Sequence, residues 1–235
     1  MKNSKIFVAC DTSNLLLVKK IIKLTKTKKL DIIPKFGMQF FYSKNGRKFL
    51  EKFKYDFFLD LKINDIKQTA LSAIVSLKDL KKCKYITVHA NGGLEMLKAV
   101  KKTASNTNKN LKVLGVTVLT SLNNKSLREI GHTKKLEQIV LKQVSLIKKA
   151  GLHGAVLSAK EAKLVKKKYK NLFIVTPGIR FPGDNLDDQA RVVTPYEALK
   201  KNRMNAIVMG RSLVRGNIKN NIKKLIDHLN KWSEV

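Results

Sequence analysis

The sequence predicts a closed (β/α)8 barrel, the TIM-barrel fold, in which eight parallel strands alternate with eight helices. Eight short apolar runs rich in Val and Ile are each followed by an amphipathic stretch, and strands that are apolar on both faces are typical of a parallel sheet covered by helices. A length of 235 residues suits one such barrel. We therefore expect a single α/β domain over residues 1–235. An open doubly wound sheet is disfavoured because no G-x-G-x-x-G motif follows the first run.

The individual elements follow from the spacing of apolar residues and from signals at their ends. We predict strands over residues 6–10, 31–36, 57–61, 85–89, 113–119, 154–157, 172–176 and 206–209. One helix is predicted after each strand, over residues 14–27, 39–53, 66–82, 94–105, 134–150, 159–168, 195–203 and 213–232. A capping box from Ser158 to Glu161 is expected to open the sixth helix, and Thr194 to cap the seventh just before Pro195. Residues 181–189 are rich in Pro, Gly, Asn and Asp and predict a polar, mobile loop.

Composition narrows the class of protein. The formal net charge of +32 would attract a polyanion, but 42 lysines against 7 arginines, spread over the predicted helices, favour a solvated basic surface over a nucleic-acid reader. No run approaches the roughly 18 apolar residues of a membrane span, and the N-terminus has no signal-peptide pattern. Cys10 and Cys83 fit no metal or redox spacing. A cytoplasmic protein is the simplest expectation.

Polar residues cluster at the predicted carboxyl ends of the strands, where barrels of this type form their active sites. In chain order, these ends carry Asp11, Lys35, Asp60 with Lys62, His89, Thr120, Arg180, and Gly210 with Arg211. The opposite ends of the strands are poor in such groups. This asymmetry favours an enzyme.

The pair Asp60 and Lys62 is the most informative of these groups. Both follow the apolar run 57–59, and because side chains alternate along a strand, the two charges should point the same way, with Asp65 three residues further on. Opposite charges on a buried strand are costly to desolvate. A structural ion pair is one explanation. A catalytic ammonium held by a carboxylate is the other, and the remaining strand ends favour it.

Several candidate residues also have a structural interpretation. Asp11 could cap the first helix, Lys35 could extend to the surface, and Thr120 could satisfy a helix N-terminus. Asp65 could open a capping box that ends at Gln68. His89 is better explained as a hydrogen-bonded core histidine than as a base.

The last two strand ends predict a phosphate site. A glycine such as Gly210 lets the backbone approach a ligand, and the loops after strands seven and eight commonly hold phosphate in this fold. Arg180 and Arg211 would converge there. The sequence thus predicts a phosphorylated small molecule with its phosphate near Arg211 and its reactive end near Lys62.

These residues together resemble the orotidine 5'-phosphate decarboxylases of the compact bacterial type, over essentially the whole chain. The matching segments are Asp11, residues 35–38, residues 58–66, residues 88–93, residues 116–121, the Pro-Gly-Ile-Arg at 177–180, the Asp-Gln-x-Arg at 188–191, and Gly210-Arg211. The Asp-x-Lys-x-x-Asp motif alone also occurs in related sugar-phosphate decarboxylases and aldolases. The added segments make the resemblance specific.

The resemblance implies decarboxylation of orotidine 5'-monophosphate to UMP, without a metal or an organic cofactor. It implies that Lys62 delivers a proton to C6, that Asp60 lies against the substrate carboxylate, and that Lys35 belongs to the same charge array. It further implies a homodimer in which Asp65 and Thr69 complete the site of the neighbouring subunit. The remaining implied substrate contacts are Asp11 and Lys35 to the ribose, Thr120 to the pyrimidine, Gln189 between base and phosphate, and Arg180, Gly210 and Arg211 to the phosphate.

Two positions depart from the family pattern. Lys67-Gln68 replaces a common Pro-Asn before Thr69, and Pro34 precedes Lys35 inside a predicted central strand. Two rival functions also remain. A metal-dependent sugar-phosphate decarboxylase or aldolase would lose activity in chelator, and a nucleic-acid-binding protein would bind in a strongly salt-dependent manner.

Overall fold

The computed structural model of the protein describes residues 4–185 and 192–230. Eight parallel strands form a closed barrel in which each strand pairs with the next along the chain and the last pairs with the first. The strands are β1 Lys5–Ala9, β2 Asp31–Gly37, β3 Phe57–Ile63, β4 Cys83–His89, β5 Lys112–Val116, β6 Gly154–Val156, β7 Phe173–Thr176 and β8 Ala206–Met209. This confirms the predicted (β/α)8 barrel.

Helices surround the barrel and connect consecutive strands. They are α1 Leu15–Thr25, α2 Met38–Phe41, α3 Gly46–Glu51, α4 Lys67–Val75, α5 Gly93–Thr107, α6 Asn124–Glu129, α7 Leu136–Lys149, α8 Ala159–Lys168, α9 Arg211–Val214 and α10 Ile218–Asn230. A 3-10 turn at Ala90–Gly92 precedes α5, and a π-helical turn at Glu197–Lys201 precedes β8. None of the described helices is long and apolar enough to span a membrane.

The predicted helix over residues 39–53 is wrong as a single element. The chain turns after α2 and begins again at α3, and a Cβ atom on Gly46 would lie 1.7 Å from the backbone oxygen of Phe40. Only glycine permits this close return of the chain. The helix predicted over residues 213–232 is also broken, into α9 and α10, and at the break the side-chain Nδ2 group of Asn221 donates to the carbonyls of Leu213 and Arg215.

Two further differences concern the region after β5. The strand ends at Val116 instead of residue 119, and the unpredicted helix α6 follows, capped by Asn123, whose side chain accepts from the amides of Lys125 and Ser126. Asn at this position satisfies amides that the first turn of a helix leaves free.

Thr194 and Glu197 form the reciprocal side-chain to backbone bonds of a capping box, as the sequence predicts for Thr194.

The core has two layers. The larger one fills the space between the strands and the surrounding helices, and the smaller one fills the barrel itself. In the barrel, the rings of Phe7, Phe58 and Tyr85 meet edge to face, with centroid distances of 4.8 to 6.1 Å. These apolar side chains fill the interior of the barrel below the carboxyl ends of the strands.

Candidate active site

A cavity of about 510 Å³ opens at the carboxyl ends of the strands, above the aromatic layer. Its floor is apolar and includes Ala9, Phe58, Val156 and Val208. Its lining brings together residues from β2, β3 and the segments after β1, β5, β7 and β8, namely Asp11, Lys35, Asp60, Lys62, Thr120, Arg180, Gly210 and Arg211. Eight of the sequence-predicted site residues therefore face one cavity.

Four charged side chains alternate in sign along one wall. The Lys35 ammonium donates to Asp11 Oδ1 at 3.1 Å and lies 3.3 Å from Asp60 Oδ2. The Lys62 ammonium donates to the same Asp60 oxygen at 2.9 Å. The order along the wall is thus Asp11, Lys35, Asp60, Lys62. Lys35 and Asp60, the two inner groups, each lie between two groups of opposite charge. These neighbours offset the cost of burying a charge, which an isolated buried charge would bear in full.

Burial and charge compete at the two inner groups. Burial lowers the pKa of Lys35, but the carboxylates of Asp60 and Asp11 outweigh it, and the pKa is raised above its usual 10.5. Burial raises the pKa of Asp60, but the ammonium groups of Lys35 and Lys62 outweigh it, and the pKa is lowered below its usual 3.8. Both groups are therefore charged at neutral pH, although only 5% of the Lys35 side chain and 13% of the Asp60 side chain are exposed.

Lys62 lies in a bulge of β3. Leu59 pairs with Ile86 and Ile63 pairs with Val88, so three residues of β3 stand opposite Thr87 alone on β4. Lys62 adopts a φ of 49° in this bulge, the left-handed region that costs a residue with a side chain about 1–3 kcal/mol. Its amide donates to the Thr87 hydroxyl at 2.8 Å, where a regular strand would offer a carbonyl. The bulge, and not simple alternation, directs Lys62 onto Asp60.

Gly37 makes room for the array at the end of β2. A Cβ atom at this position would lie 2.6 Å from Asp11 Oδ1 and 3.7 Å from the Lys35 nitrogen. Pro34 is accommodated in the same strand. The Lys35 carbonyl faces β1, where it accepts from the Cys10 amide, so the neighbouring Pro34 nitrogen faces β3, and pairing of β2 with β3 begins only at Lys35. The lack of an amide hydrogen on Pro34 therefore removes none of the hydrogen bonds that Lys35 makes to the neighbouring strand.

The opposite side of the cavity carries two arginines. Arg180 is 7% exposed, and its segment is held in place because its amide donates to the Val193 carbonyl at 3.1 Å and its guanidinium donates to the Ile179 carbonyl at 3.0 Å. Gly210 and Arg211 follow β8 on the neighbouring stretch of the rim. A cavity with carboxylates and ammonium groups on one wall and arginines on the other fits a ligand that carries an anionic group at each end.

Three predicted site residues lie elsewhere. Asp65 and Thr69 are exposed on the segment after β3 and do not line the cavity of their own chain. Asp65 accepts from the adjacent Ile66 amide at 2.7 Å, and α4 begins without a side-chain cap, so the capping box considered for Asp65 is absent. Gln189 lies outside the described residues.

His89 does not line the cavity. Its Nδ1 atom is buried and has no hydrogen-bond partner among residues 4–185 and 192–230. Burial, followed by the nearby Lys62 charge, lowers its pKa. This setting agrees with a neutral core histidine, the interpretation that the sequence favours. The hydrogen bond expected for such a histidine is not made at Nδ1 by any described residue.

Sequence reasoning missed two residues that shape the site, Thr87 and Gly37. Thr87 lies between Tyr85 and His89 on the inward face of β4, and a polar residue in that row was an available signal. Nothing in the sequence alone shows that Gly37 faces a carboxylate. Within the described part of the chain, no three His, Cys, Asp or Glu side chains come together as possible metal ligands.

Comparison with known proteins agrees with this geometry. Residues 4–223 match the family described as orotidine 5'-phosphate decarboxylase / HUMPS. Two curated proteins named orotidine 5'-phosphate decarboxylase are similar to the chain: one from Wigglesworthia glossinidia brevipalpis is 39% identical over 219 residues, 92% of each chain, and one from Buchnera aphidicola subsp. Acyrthosiphon pisum (strain Tuc7) is 38% identical over 225 residues, 94% of this chain and 92% of that one.

A solved structure supports the same assignment. The crystal structure of orotidine 5'-phosphate decarboxylase from Lactobacillus acidophilus superposes with a TM-score of 0.82 at 29% identity, covering 97% of this chain and 99% of that one. The fold, the family match and the sequence identity thus support the same assignment. The chain belongs to the orotidine 5'-phosphate decarboxylase / HUMPS family.

Proposed function

We propose that the protein converts orotidine 5'-monophosphate to UMP and carbon dioxide in de novo pyrimidine biosynthesis, with Lys62 as the proton donor and without a metal or an organic cofactor. The observation that carries the proposal is the alternating wall of Asp11, Lys35, Asp60 and Lys62 in a cavity whose other side holds Arg180 and Arg211. The curated relatives named for this reaction support it.

The cavity suggests how the substrate lies. Its phosphate is held by Arg180, Gly210 and Arg211, its ribose hydroxyls by Asp11 and Lys35, and its pyrimidine by Thr120. We assign Gln189, from outside the described residues, to the contact between base and phosphate. This placement brings the carboxylate at C6 next to Asp60 and Lys62, which share a 2.9 Å hydrogen bond.

The chemistry follows from that placement. When the bond between C6 and the carboxylate breaks, carbon dioxide leaves and the electron pair stays on C6. The Lys62 ammonium stabilises this developing charge and then transfers one proton to C6, which gives UMP. The Lys62 side chain is 34% exposed, so the resulting neutral amine can be reprotonated from solvent.

Magnitudes show that no single contact is enough. The repulsion between Asp60 and the substrate carboxylate at about 4 Å and an effective dielectric constant of about 20 is roughly 4 kcal/mol. The slowest uncatalysed reactions need a barrier reduction of about 20 kcal/mol or more. The remainder must come from groups held ready before the reaction, from remote binding energy at the phosphate and from exclusion of water.

The first test is turnover itself. We expect the purified protein to decarboxylate orotidine 5'-monophosphate in excess chelator, as followed by the change in absorbance. Orotidine, which lacks the phosphate, should be turned over only slowly. Lys62→Ala should lower kcat by on the order of 10⁴-fold or more, because proton donor and charge stabilisation are lost together. Thermal unfolding should change little, since this side chain is partly exposed.

The results that would overturn the proposal are distinct. Activity that disappears with chelator and appears only with sugar phosphates would favour the metal-dependent rival. Wild-type turnover by Lys62→Ala would remove Lys62 from the role of proton donor while leaving the reaction assigned.

We further propose that the protein is a cytoplasmic homodimer formed by a single catalytic domain, and that Asp65 and Thr69 complete the site of the neighbouring subunit. Both residues are exposed and lie outside the lining of their own cavity, and Ile66 between them is 73% exposed, which is unusual for a large apolar side chain. Cys10 and Cys83 are free buried thiols, in keeping with a reducing compartment.

Mixed dimers test the shared site. Asp65→Asn and Lys62→Ala homodimers should both be nearly inactive. In a heterodimer of the two, one site carries both substitutions and the other carries neither, so random mixing should restore about a quarter of wild-type activity. A mixture that stays inactive after subunit exchange would contradict the sharing of Asp65 between subunits. Light scattering coupled to size exclusion checks the dimer independently.

A further inference from the structure

Thr87 connects the two residues on which the proposed reaction depends. Its hydroxyl accepts from the Lys62 backbone amide at 2.8 Å and donates to Asp60 Oδ1 at 2.9 Å. The side chain is fully buried on β4 and does not line the cavity. Thr87 therefore contacts Asp60 and Lys62 from outside the cavity lining.

The two hydrogen bonds fix different degrees of freedom. At Asp60, the two ammonium groups share Oδ2 and the hydroxyl takes Oδ1, so the carboxylate cannot rotate about its bond to Cβ without losing a partner. At Lys62, the hydroxyl replaces the carbonyl that a regular ladder would supply, and it holds the residue at a φ of 49°. A single hydroxyl has one donor and two acceptor sites, so it can serve both residues at once.

We infer that Thr87 is a positioning residue, whose hydroxyl aims the Lys62 ammonium and the Asp60 carboxylate for the reaction. This inference rests on the proposed function and adds a residue that acts through Lys62 and Asp60. Without the hydroxyl, the part-buried Lys62 amide loses its acceptor and the bulge is free to relax. The ammonium then moves from its place over the reacting carbon.

The decisive comparison is between Thr87→Val and Thr87→Ser. Valine keeps the branched shape and removes the hydroxyl, so kcat should fall on the order of 100-fold, as for a misplacement of about 1 Å. KM and the affinity for UMP should change by less than about threefold, because the phosphate and ribose contacts are untouched. Serine keeps the hydroxyl and should restore kcat to within about fivefold of wild type.

A matched control separates positioning from stability. Thr25 is also a buried threonine, at the end of α1 and outside the cavity lining, and its hydroxyl donates to the Ile21 carbonyl at 2.9 Å. Thr25→Val should lower the melting temperature as Thr87→Val does and leave kcat at the wild-type value. If Thr87→Val fails to fold, Thr87→Cys replaces it, because a thiol has nearly the shape of the serine hydroxyl but is a weak hydrogen-bond partner, and its kcat should be low where that of Thr87→Ser is high.

Two results would overturn the inference. Wild-type kcat in Thr87→Val would show that the hydroxyl is dispensable, and a Thr87→Ser variant as slow as Thr87→Val would show that the methyl group matters instead. A crystal structure of Thr87→Val with the hydrogen bond of Lys62 to Asp60 unchanged would also count against it. Wild-type turnover is measured first, so an inactive wild type refutes the proposed function, whereas these comparisons between Thr87 variants refute only the inference.

Discussion

Lys35 shows how strongly the charge of one residue here depends on its neighbours. Its ammonium is almost fully buried and lies between Asp11 and Asp60, at 3.1 and 3.3 Å. The raised pKa of Lys35 means that its contribution to stability is present below its usual 10.5 and is lost as the pH rises through the folded value. The lowered pKa of Asp60 has the opposite sign, because that contribution is present above 3.8 and is lost as the pH falls through the folded value. Lys35 and Asp60 are thus both charged across the neutral range.

Removal of the Lys35 charge tests this balance. In Lys35→Met, Lys62 and Thr87 still lower the pKa of Asp60, but the larger effect of Lys35 is lost. Burial, which raises this pKa, is then opposed less strongly, so the pKa of Asp60 rises. Since the proposed reaction needs an ionised Asp60, the acidic limb of the kcat/KM profile should move toward neutral pH. Lys20→Met, at an exposed position on α1, should leave the profile unchanged. An unshifted acidic limb in Lys35→Met would show that Asp60 does not depend on Lys35 for its charge.

At the scale of elements, the junction of β2 with α2 controls the position of Asp11. Gly37 ends β2 with a φ of −88°, which alanine can adopt, so only space restricts substitution. The added methyl group of Gly37→Ala would displace the Asp11 carboxylate, whose side chain is 52% exposed and can swing outward at little cost in stability. Its ion pair with Lys35 would break.

Gly37→Ala should therefore raise KM by about tenfold while the melting temperature stays nearly constant, because the proposed hydrogen bond of the Asp11 carboxylate to the ribose, a charged hydrogen bond, would be worth roughly 1.5–3 kcal/mol. The measurement is steady-state kinetics in a double-mutant cycle with Asp11→Ala. If Gly37 acts through Asp11, Gly37→Ala has no further effect once Asp11 is alanine. Additive losses in KM would place the effect of Gly37 elsewhere.

The same scale shows what the sequence could and could not predict. Apolar periodicity located all eight strands and the array residues Asp60 and Lys62, since burial on both faces leaves a strong local signal. The break between α2 and α3 depends on the contact of Gly46 with Phe40, and the proposed role of Thr87 depends on a bulge in the neighbouring strand. The helix break and the proposed role of Thr87 both arise from contacts between separate segments of the chain. A prediction made from one segment at a time therefore cannot detect them.

At the scale of the whole molecule, the charge of +32 acts on any anion that approaches. Lysines such as Lys19, Lys20, Lys148 and Lys149 are exposed on the outer helices, so this charge is solvated and is screened by salt over about 10 Å at 0.1 M ionic strength. A net positive surface raises the encounter rate with an anionic nucleotide, but it does not change the array inside the cavity.

Substrate capture and catalysis should therefore respond differently to salt. We expect kcat/KM for orotidine 5'-monophosphate to fall several-fold between roughly 0.02 and 0.2 M NaCl, with kcat nearly constant, because screening weakens the long-range attraction and not the buried contacts. Binding of a random-sequence RNA in the same salt series separates a solvated surface from a dedicated polyanion site. Weak binding that vanishes near 0.15 M NaCl is expected for the former. Tight binding that persists at that salt concentration, together with inhibition of turnover, would show that the basic helices recognise nucleic acid.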